Sequence, residues 1–278
     1  MTLFHAFFLG ILQGVTEFLP VSSSGHLVLA EQLLGIHVDP KDMQGLNIML
    51  HAGTLLALLF IYFQTWMQLL TAPFRKDKKS TNMLVLLILA TIPAGVAGIL
   101  FEDIVAVHFQ SLLSIGLAFL VTGLVLLLGE CCKDGHKTLL QKVLHPRTPA
   151  AKTLTIRSAM AIGVAQAMAL VPGLSRSGLT ISTGRMMGLN RKEALDFSFL
   201  MVVPVIGGAT LLTMKDAMEG VIILPMLDII TAAVSASFVS SVLSILFLRR
   251  YIVRRGLGVF APYLIIVSVL TIFLAVIQ

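Results

Sequence analysis

The stretch Pro20-Val21-Ser22-Ser23-Ser24-Gly25 breaks an apolar region that runs from residue 2 to 35. Pro172-Gly173-Leu174-Ser175-Arg176-Ser177-Gly178 breaks a second, from 158 to 188. Proline followed by small hydroxyl residues and glycine does not continue a helix. The pieces beyond the two breaks, about 24–35 and 177–188, hold 12 residues each. Such a helix reaches roughly 18 Å at 1.5 Å per residue, well short of the roughly 30 Å hydrocarbon core of a bilayer. Each broken region therefore reads as a re-entrant helix–loop–helix hairpin, entering and leaving on one side.

The rest of the chain sets these hairpins in a membrane. Of 278 residues, 57% are hydrophobic and 12% charged, about half the charged share of a soluble domain. Mean hydropathy is +0.95. A soluble enzyme, a disordered chain and a secreted disulfide scaffold are thereby excluded. Six apolar runs are long enough to cross as helices: about 46–70, 82–101, 112–130, 193–212, 222–248 and 257–277. If only these cross, loop 71–81 shares a side with 131–157, which carries Lys133, Lys137, Lys142, Arg147, Lys152 and Arg157. Arg191, Lys192, Arg249, Arg250, Arg254 and Arg255 fall on that side too. Loops 36–45, 102–111 and 213–221 fall opposite, with acidic residues matching or outnumbering basic ones. The positive-inside rule then makes the basic side cytoplasmic and puts both termini outside. The net charge of +6 is thus a topology signal, with no nucleic-acid partner implied. The first residues lack a basic n-region and carry Gln13 and Glu17 in their apolar run, which argues against a cleaved signal peptide. The adjacent Cys131 and Cys132 lack metal-site spacing.

The chain also repeats. Gly10-x-x-Gln13 returns as Gly163-x-x-Gln166, and Ser22-Ser23-Ser24-Gly25 as Ser175-Arg176-Ser177-Gly178, both at an offset of 153; Gly53-Thr54-Leu55-Leu56 is echoed by Gly208-Ala209-Thr210-Leu211-Leu212. One hairpin followed by three crossings per half makes the halves inverted, a plan in which broken helices meet near the midplane. The expected fold is an all-α polytopic membrane protein with six transmembrane helices plus two re-entrant helix-loop-helix hairpins in an inverted-topology repeat. It forms a single integral membrane domain, 1–278, with repeat one over about 1–130, a cytoplasmic connector over about 131–157 and repeat two over about 158–278.

Irregular backbone at membrane depth implies a polar cavity. Arg176 stands between two hydroxyls with glycines on either side, and its planar fork suits phosphate oxygens. Ser22, Ser23, Ser24 and His26 come from the first loop. Upstream, Gln13 and Glu17 lie four apart on one helix face. An acid, an imidazole, hydroxyls and an arginine are the parts of a phosphoryl-transfer site. Blander roles compete: an ion pair for Glu17 and Arg176, helix capping for Ser24 and Ser177, a helix-start role for His26. His51 and Asp228 lie within spans with lining and function equally open. Lys76, Lys78 and Lys79 read as topology charges, and Glu193 and Asp196 as acids opening a helix.

Gln13-x-x-x-Glu17-Phe18-Leu19-Pro20-Val21-Ser22-Ser23-Ser24-Gly25-His26 resembles the (E/Q)xxxE-FLPVSS-x-GH signature of the bacterial undecaprenyl-diphosphatase family, whose members are also called bacitracin-resistance proteins. Pro172-Gly173-x-Ser175-Arg176-Ser177-Gly178-x-Thr180 is similar to its PGxSRSGxT motif. The resemblance covers essentially the whole chain. It implies an inner-membrane phosphatase that cleaves undecaprenyl diphosphate to undecaprenyl phosphate and inorganic phosphate, with a divalent cation (Mg2+ or Ca2+) and a periplasmic opening. Carried onto these positions, Glu17, Ser23, His26 and Arg176 are the expected catalytic residues. Ser22, Ser24, Gly25, Gly173, Ser175, Ser177, Gly178 and Thr180 are expected to bind substrate, and Glu17 and Gln13 to hold the metal. The neutral Gln13 weighs against a paired-carboxylate metal site. Ser23, activated by the acid and His26, is the favoured nucleophile, with His26 or a metal-activated water as the others. The alternative from another class is a lipid-phosphate transporter or flippase using the same cavity.

Overall fold

Capping side chains set many of the helix starts in the computed structural model, which describes residues 2–36, 40–131, 154–220, 222 and 224–277. Every regular element among them is a helix. In chain order these are α1 (Leu3–Phe18), α2 (Ser23–Leu33), α3 (Pro40–Ile61), α4 (Phe63–Thr71), α5 (Lys78–His108), α6 (Leu112–Glu130), α7 (Ile156–Met168), α8 (Arg176–Met186), α9 (Arg191–Met218), α10 (Leu227–Arg255) and α11 (Phe260–Ile277). Asp77 caps α5, Ser111 α6 and Ser175 α8, while Thr155 with Ser158 and Asn190 with Glu193 form capping boxes on α7 and α9. Glu193 thus opens its helix as the sequence suggests. Most of the connector, with Cys132, Lys133, Lys137, Lys142, Arg147 and Lys152, lies outside the described residues.

Helices α5, α6, α9, α10 and α11 are long and apolar enough to cross a bilayer, and α3 with α4 makes a sixth if the bent pair counts as one span. The chain is a multi-pass membrane protein. The predicted run 46–70 is not one straight helix: it bends by 75° at Tyr62. No proline or glycine causes the bend. Tyr62 is instead held by its side chain, donating to Asp196 Oδ1 at 2.7 Å with the Arg249 guanidinium 5.2 Å from its ring centroid. Both broken regions stay broken, with limbs of 11 residues after each loop.

Without a hydrophobic drive between helices in lipid, small residues and hydroxyls decide packing. A Cβ on Gly10 of α1 would sit 2.6 Å from the Ala233 carbonyl oxygen of α10. A Cβ on Gly163 of α7 would overlap the Ala90 carbonyl of α5. Ser268 of α11 donates to the Gly116 oxygen of α6 at 2.6 Å. At one end of the bundle, Glu130 closing α6 pairs with Arg191 and accepts from the Leu257 N–H at 2.8 Å. The ends of α6 and α10 and the starts of α9 and α11 are therefore gathered together. Large side chains such as Ile99 and Leu128 face outward, where lipid makes their exposure favourable.

Candidate active site

The site starts on the last turn of α1. Gln13 and Glu17, both buried, stand one above the other, and Gln13 Nε2 donates to Glu17 Oε2 at 3.0 Å. The chain then turns sharply. Ser22 adopts φ +70, a left-handed conformation rare for a residue other than glycine. The turn is held by its own product: the Ser22 carbonyl accepts from the His26 N–H at 3.3 Å and from His26 Nδ1 at 2.8 Å. It delivers Ser23 to the first turn of α2, where Ser23 Oγ donates to Glu17 Oε2 at 2.6 Å. Strain at Ser22 and a hydroxyl on the carboxylate are parts of one arrangement.

The second loop closes over the first. Ser175 caps α8 by accepting from the Gly178 N–H at 3.1 Å, and its own N–H donates to Thr122 Oγ1 of α6 at 3.1 Å. Arg176, first residue of α8, forms an ion pair through Nη2 with Glu17 Oε1. Three contacts knit the loops together. Ser177 Oγ donates to the Leu19 carbonyl at 3.0 Å, and the Gly173 N–H donates to Ser24 Oγ at 3.4 Å. A Cβ on Gly25 would lie 3.1 Å from the Gly173 Cα, so the backbones touch there. Gly173 also takes φ +90, which glycine alone accepts freely. Ser24 and Ser177 therefore tie loop to loop, and capping falls to Ser175. Thr180 Oγ1 bonds the Arg176 carbonyl and Ser198 of α9, securing the base of the arginine.

Glu17, Ser23, Arg176 and Gln13 are thus brought together. His26 stands apart from them. Its Nδ1 faces the Ser22 carbonyl, which can only accept, so Nδ1 carries the proton and Nε2 accepts from the Tyr263 hydroxyl at 2.7 Å. The ring stacks on Tyr263 and meets the edge of Phe119. The imidazole beside Glu17 is instead His51 of α3, whose Nε2 is 3.7 Å from Glu17 Oε2. Tyr263 and Thr122 were not found by sequence reasoning. Tyr263 is 237 positions from His26, and its one signal is a hydroxyl-bearing ring in a mainly apolar span.

Among the described residues no group of three His, Cys, Asp or Glu could hold a metal ion. The donors near Glu17 are amides and imidazole: Gln13 Oε1 is buried with no hydrogen-bond partner.

Fold and site together define a polytopic membrane protein with a buried carboxylate shared by a serine and an arginine. Comparison with known proteins agrees over the full length. The family model described as bacitracin resistance protein BacA matches residues 6–270. An undecaprenyl-diphosphatase of Halothermothrix orenii is 41% identical over 277 residues, covering 99% of each chain. Those of Alkaliphilus metalliredigens and Pelotomaculum thermopropionicum are 37% and 35% identical, over 95% and 99% of this chain and 95% and 97% of their own. The chain belongs to the BacA family.

Proposed function

We infer that this chain hydrolyses undecaprenyl diphosphate to undecaprenyl phosphate and inorganic phosphate. One observation carries the chemistry: the buried Glu17 carboxylate holds the Ser23 hydroxyl at 2.6 Å on one oxygen and Arg176 on the other. Relatives matched over the whole chain are undecaprenyl-diphosphatases.

Ser23 Oγ attacks the terminal phosphorus while Glu17 Oε2 takes its proton, a hydroxyl nucleophile beside its base. Arg176 leaves Glu17 for the phosphate oxygens and neutralises charge there, joined by the Ser175 and Ser177 hydroxyls. The bond from phosphorus to the bridging oxygen breaks, and undecaprenyl phosphate departs as a stable anion. Glu17 passes that proton to the departing phosphate, then takes one from the attacking water and returns it to Ser23 Oγ as inorganic phosphate leaves. His26 supports this by position: it holds the Ser22 carbonyl and so keeps the left-handed turn that aims Ser23. Glu17 and Gln13 would hold a divalent cation, Mg2+ or Ca2+, the orphaned Gln13 Oε1 being suited to one. When bound, that ion supplies positive charge to the diphosphate oxygens.

The fold is read as an inverted repeat. In support, Gly10 and Gly163, 153 apart, each press on a backbone carbonyl of a long helix, α10 and α5 respectively. Both α1 and α3 pack on α10, both α7 and α9 pack on α5, and α6 packs on α11. Repeat one spans about 1–130 and repeat two about 158–278. With the basic ends cytoplasmic, the protein sits in the inner membrane with its termini and site opening on the periplasmic side.

Phosphate release by the purified protein in detergent tests the enzyme, because a micelle has no sides for a transporter to use. Release that disappears in Ser23→Ala and Glu17→Gln supports hydrolysis. Tight binding of the lipid without release would favour a flippase. A phosphoserine peptide containing Ser23, trapped by rapid quench, distinguishes covalent from direct water attack.

A further inference from the structure

We propose that α3 completes the cation site at Glu17, with His51 as a nitrogen ligand and Asn47 as an oxygen ligand, and that this set prefers Mn2+ to Ca2+. The proposal rests on the cation reading above and adds to it two residues and a metal preference.

His51 is oriented as a ligand. Its Nδ1 donates to the Asn47 carbonyl one turn earlier, at 2.7 Å. That N–H to carbonyl bond is the usual support of a metal-binding histidine and leaves the Nε2 lone pair free. Nε2 faces Glu17 Oε2 at 3.7 Å, too long for a hydrogen bond. Two ligands each about 2.1–2.2 Å from one ion would be that far apart at a ligand–metal–ligand angle of about 120°.

Two buried amide oxygens on the elements that carry Glu17 and His51 lack partners. Gln13 is fully buried and gives its N–H to Glu17, while its Oε1 has no partner. Asn47 Oδ1 is likewise buried and unpartnered, on the same helix face as His51. Arg176 pairs with Glu17 Oε1, whereas His51 approaches Oε2. Glu17 Oε2 already accepts from Ser23 and Gln13, whereas the two amide oxygens are buried without a donor, which is costly unless a cation meets them. Such a set holds only two of the residue types that dominate metal sites, so it has no simple sequence signature. Ca2+ takes oxygen ligands, whereas an imidazole nitrogen suits first-row transition ions, of which Mn2+ also accepts the carboxylate and carbonyl oxygens present.

The test uses the full purified chain without substrate and Mn2+ as the probe. Electron spin-echo spectroscopy of wild type should show nitrogen coupling from one imidazole. In His51→Gln the coupling should vanish and Mn2+ affinity should fall by about 10- to 100-fold, with Ca2+ affinity little changed. Asn47→Asp adds a charge at the same place and should tighten Mn2+ binding. This gain covers the case in which His51 variants fold poorly. Bound Mn2+ with no nitrogen coupling in wild type overturns the proposal, as does wild-type affinity in folded His51→Gln. If Glu17→Gln alone abolishes binding, the cation at Glu17 stands and its ligation by α3 falls. If wild type binds no Mn2+ and still releases phosphate in chelator, both readings fall.

Discussion

Removing Arg176 should cost stability as well as activity, and the two losses can be separated. Glu17 is 8% exposed, so Arg176→Ala leaves a buried carboxylate whose remaining hydrogen-bond partners are neutral, the Ser23 hydroxyl and the Gln13 amide. Breaking a buried ion pair from one side costs about 3–5 kcal/mol, most of it the uncompensated charge. At roughly 2 °C per kcal/mol for a chain of this size, the melting temperature in detergent should drop by roughly 6–10 °C. Glu17→Gln should cost less, because the Arg176 side chain keeps 17% exposure and can turn toward water. The double variant Glu17→Gln, Arg176→Met carries no unpaired charge and should recover much of the loss. A coupling energy of about 2–3 kcal/mol is expected from the cycle, at the upper end for contacting residues. Phosphate release should be lost in all three. Differential scanning fluorimetry supplies the melting temperatures and a phosphate assay the turnover. Additivity within about 0.5 kcal/mol, or near-normal turnover in Arg176→Ala, would refute the reasoning.

Tyr263→Phe removes one hydrogen bond and leaves His26 Nε2 buried and unpaired, at a cost of about 1–3 kcal/mol. Turnover should fall with KM nearly unchanged, measured by steady-state phosphate release, because Tyr263 acts through His26 on the aim of Ser23. Gly10→Ala and Gly163→Ala each drive a methyl into a facing backbone carbonyl and should destabilise by about 1–3 kcal/mol. Gly95→Ala and Gly98→Ala on α5 meet open space and should instead stabilise by up to about 1 kcal/mol, so thermal melts of the four variants should split by sign. Asp77 lies outside the spans, and the hydrogen bonds from Ser80 and the Lys79 N–H hold its carboxyl below the usual range. Its stabilising contribution is therefore complete above about pH 4 and lost as pH falls through its lower folded value; Asp77→Asn should flatten that acid limb of the melting profile.

The parts of this molecule legible in the sequence are those written in local pattern. Both helix breaks carry proline, serine and glycine, so their place needs no tertiary information, and Gln13 and Glu17 share a helix face by spacing alone. The bend at Tyr62 was invisible because its cause is tertiary: an anchor on Asp196 and a guanidinium from Arg249, 134 and 187 positions away. Asp196 itself was read as a helix-start acid for want of that partner. The histidine pairing failed in the same way. Proximity in sequence joined His26 to Glu17, but a backbone carbonyl and Tyr263 occupy both nitrogens of His26, while α3 brings in His51 from 34 positions away. Local chemistry could nominate imidazoles but could not say which one packing would choose.

The choice has a consequence for how the site rests. Without substrate, Arg176 and Glu17 satisfy one another, and Ser23 and Gln13 complete the carboxylate's hydrogen bonds. Pairing and hydrogen bonding offset much of the cost of burying that carboxylate. A diphosphate that reaches Arg176 offers the guanidinium a better-matched partner, with two or more oxygens for its fork. Transfer of Arg176 to the phosphate then frees Glu17 Oε1 and leaves Ser23 as the group whose proton the carboxylate can take. On the proposed mechanism, the residue that neutralises the base at rest is also the one that clamps the substrate, so the base would be released where and when a phosphate is present. Lysine at position 176 would keep the charge and the resting pair but not the planar fork. Arg176→Lys should therefore melt close to wild type while losing most of its turnover, and a variant that lost stability and activity in equal measure would show that the arginine serves the fold alone.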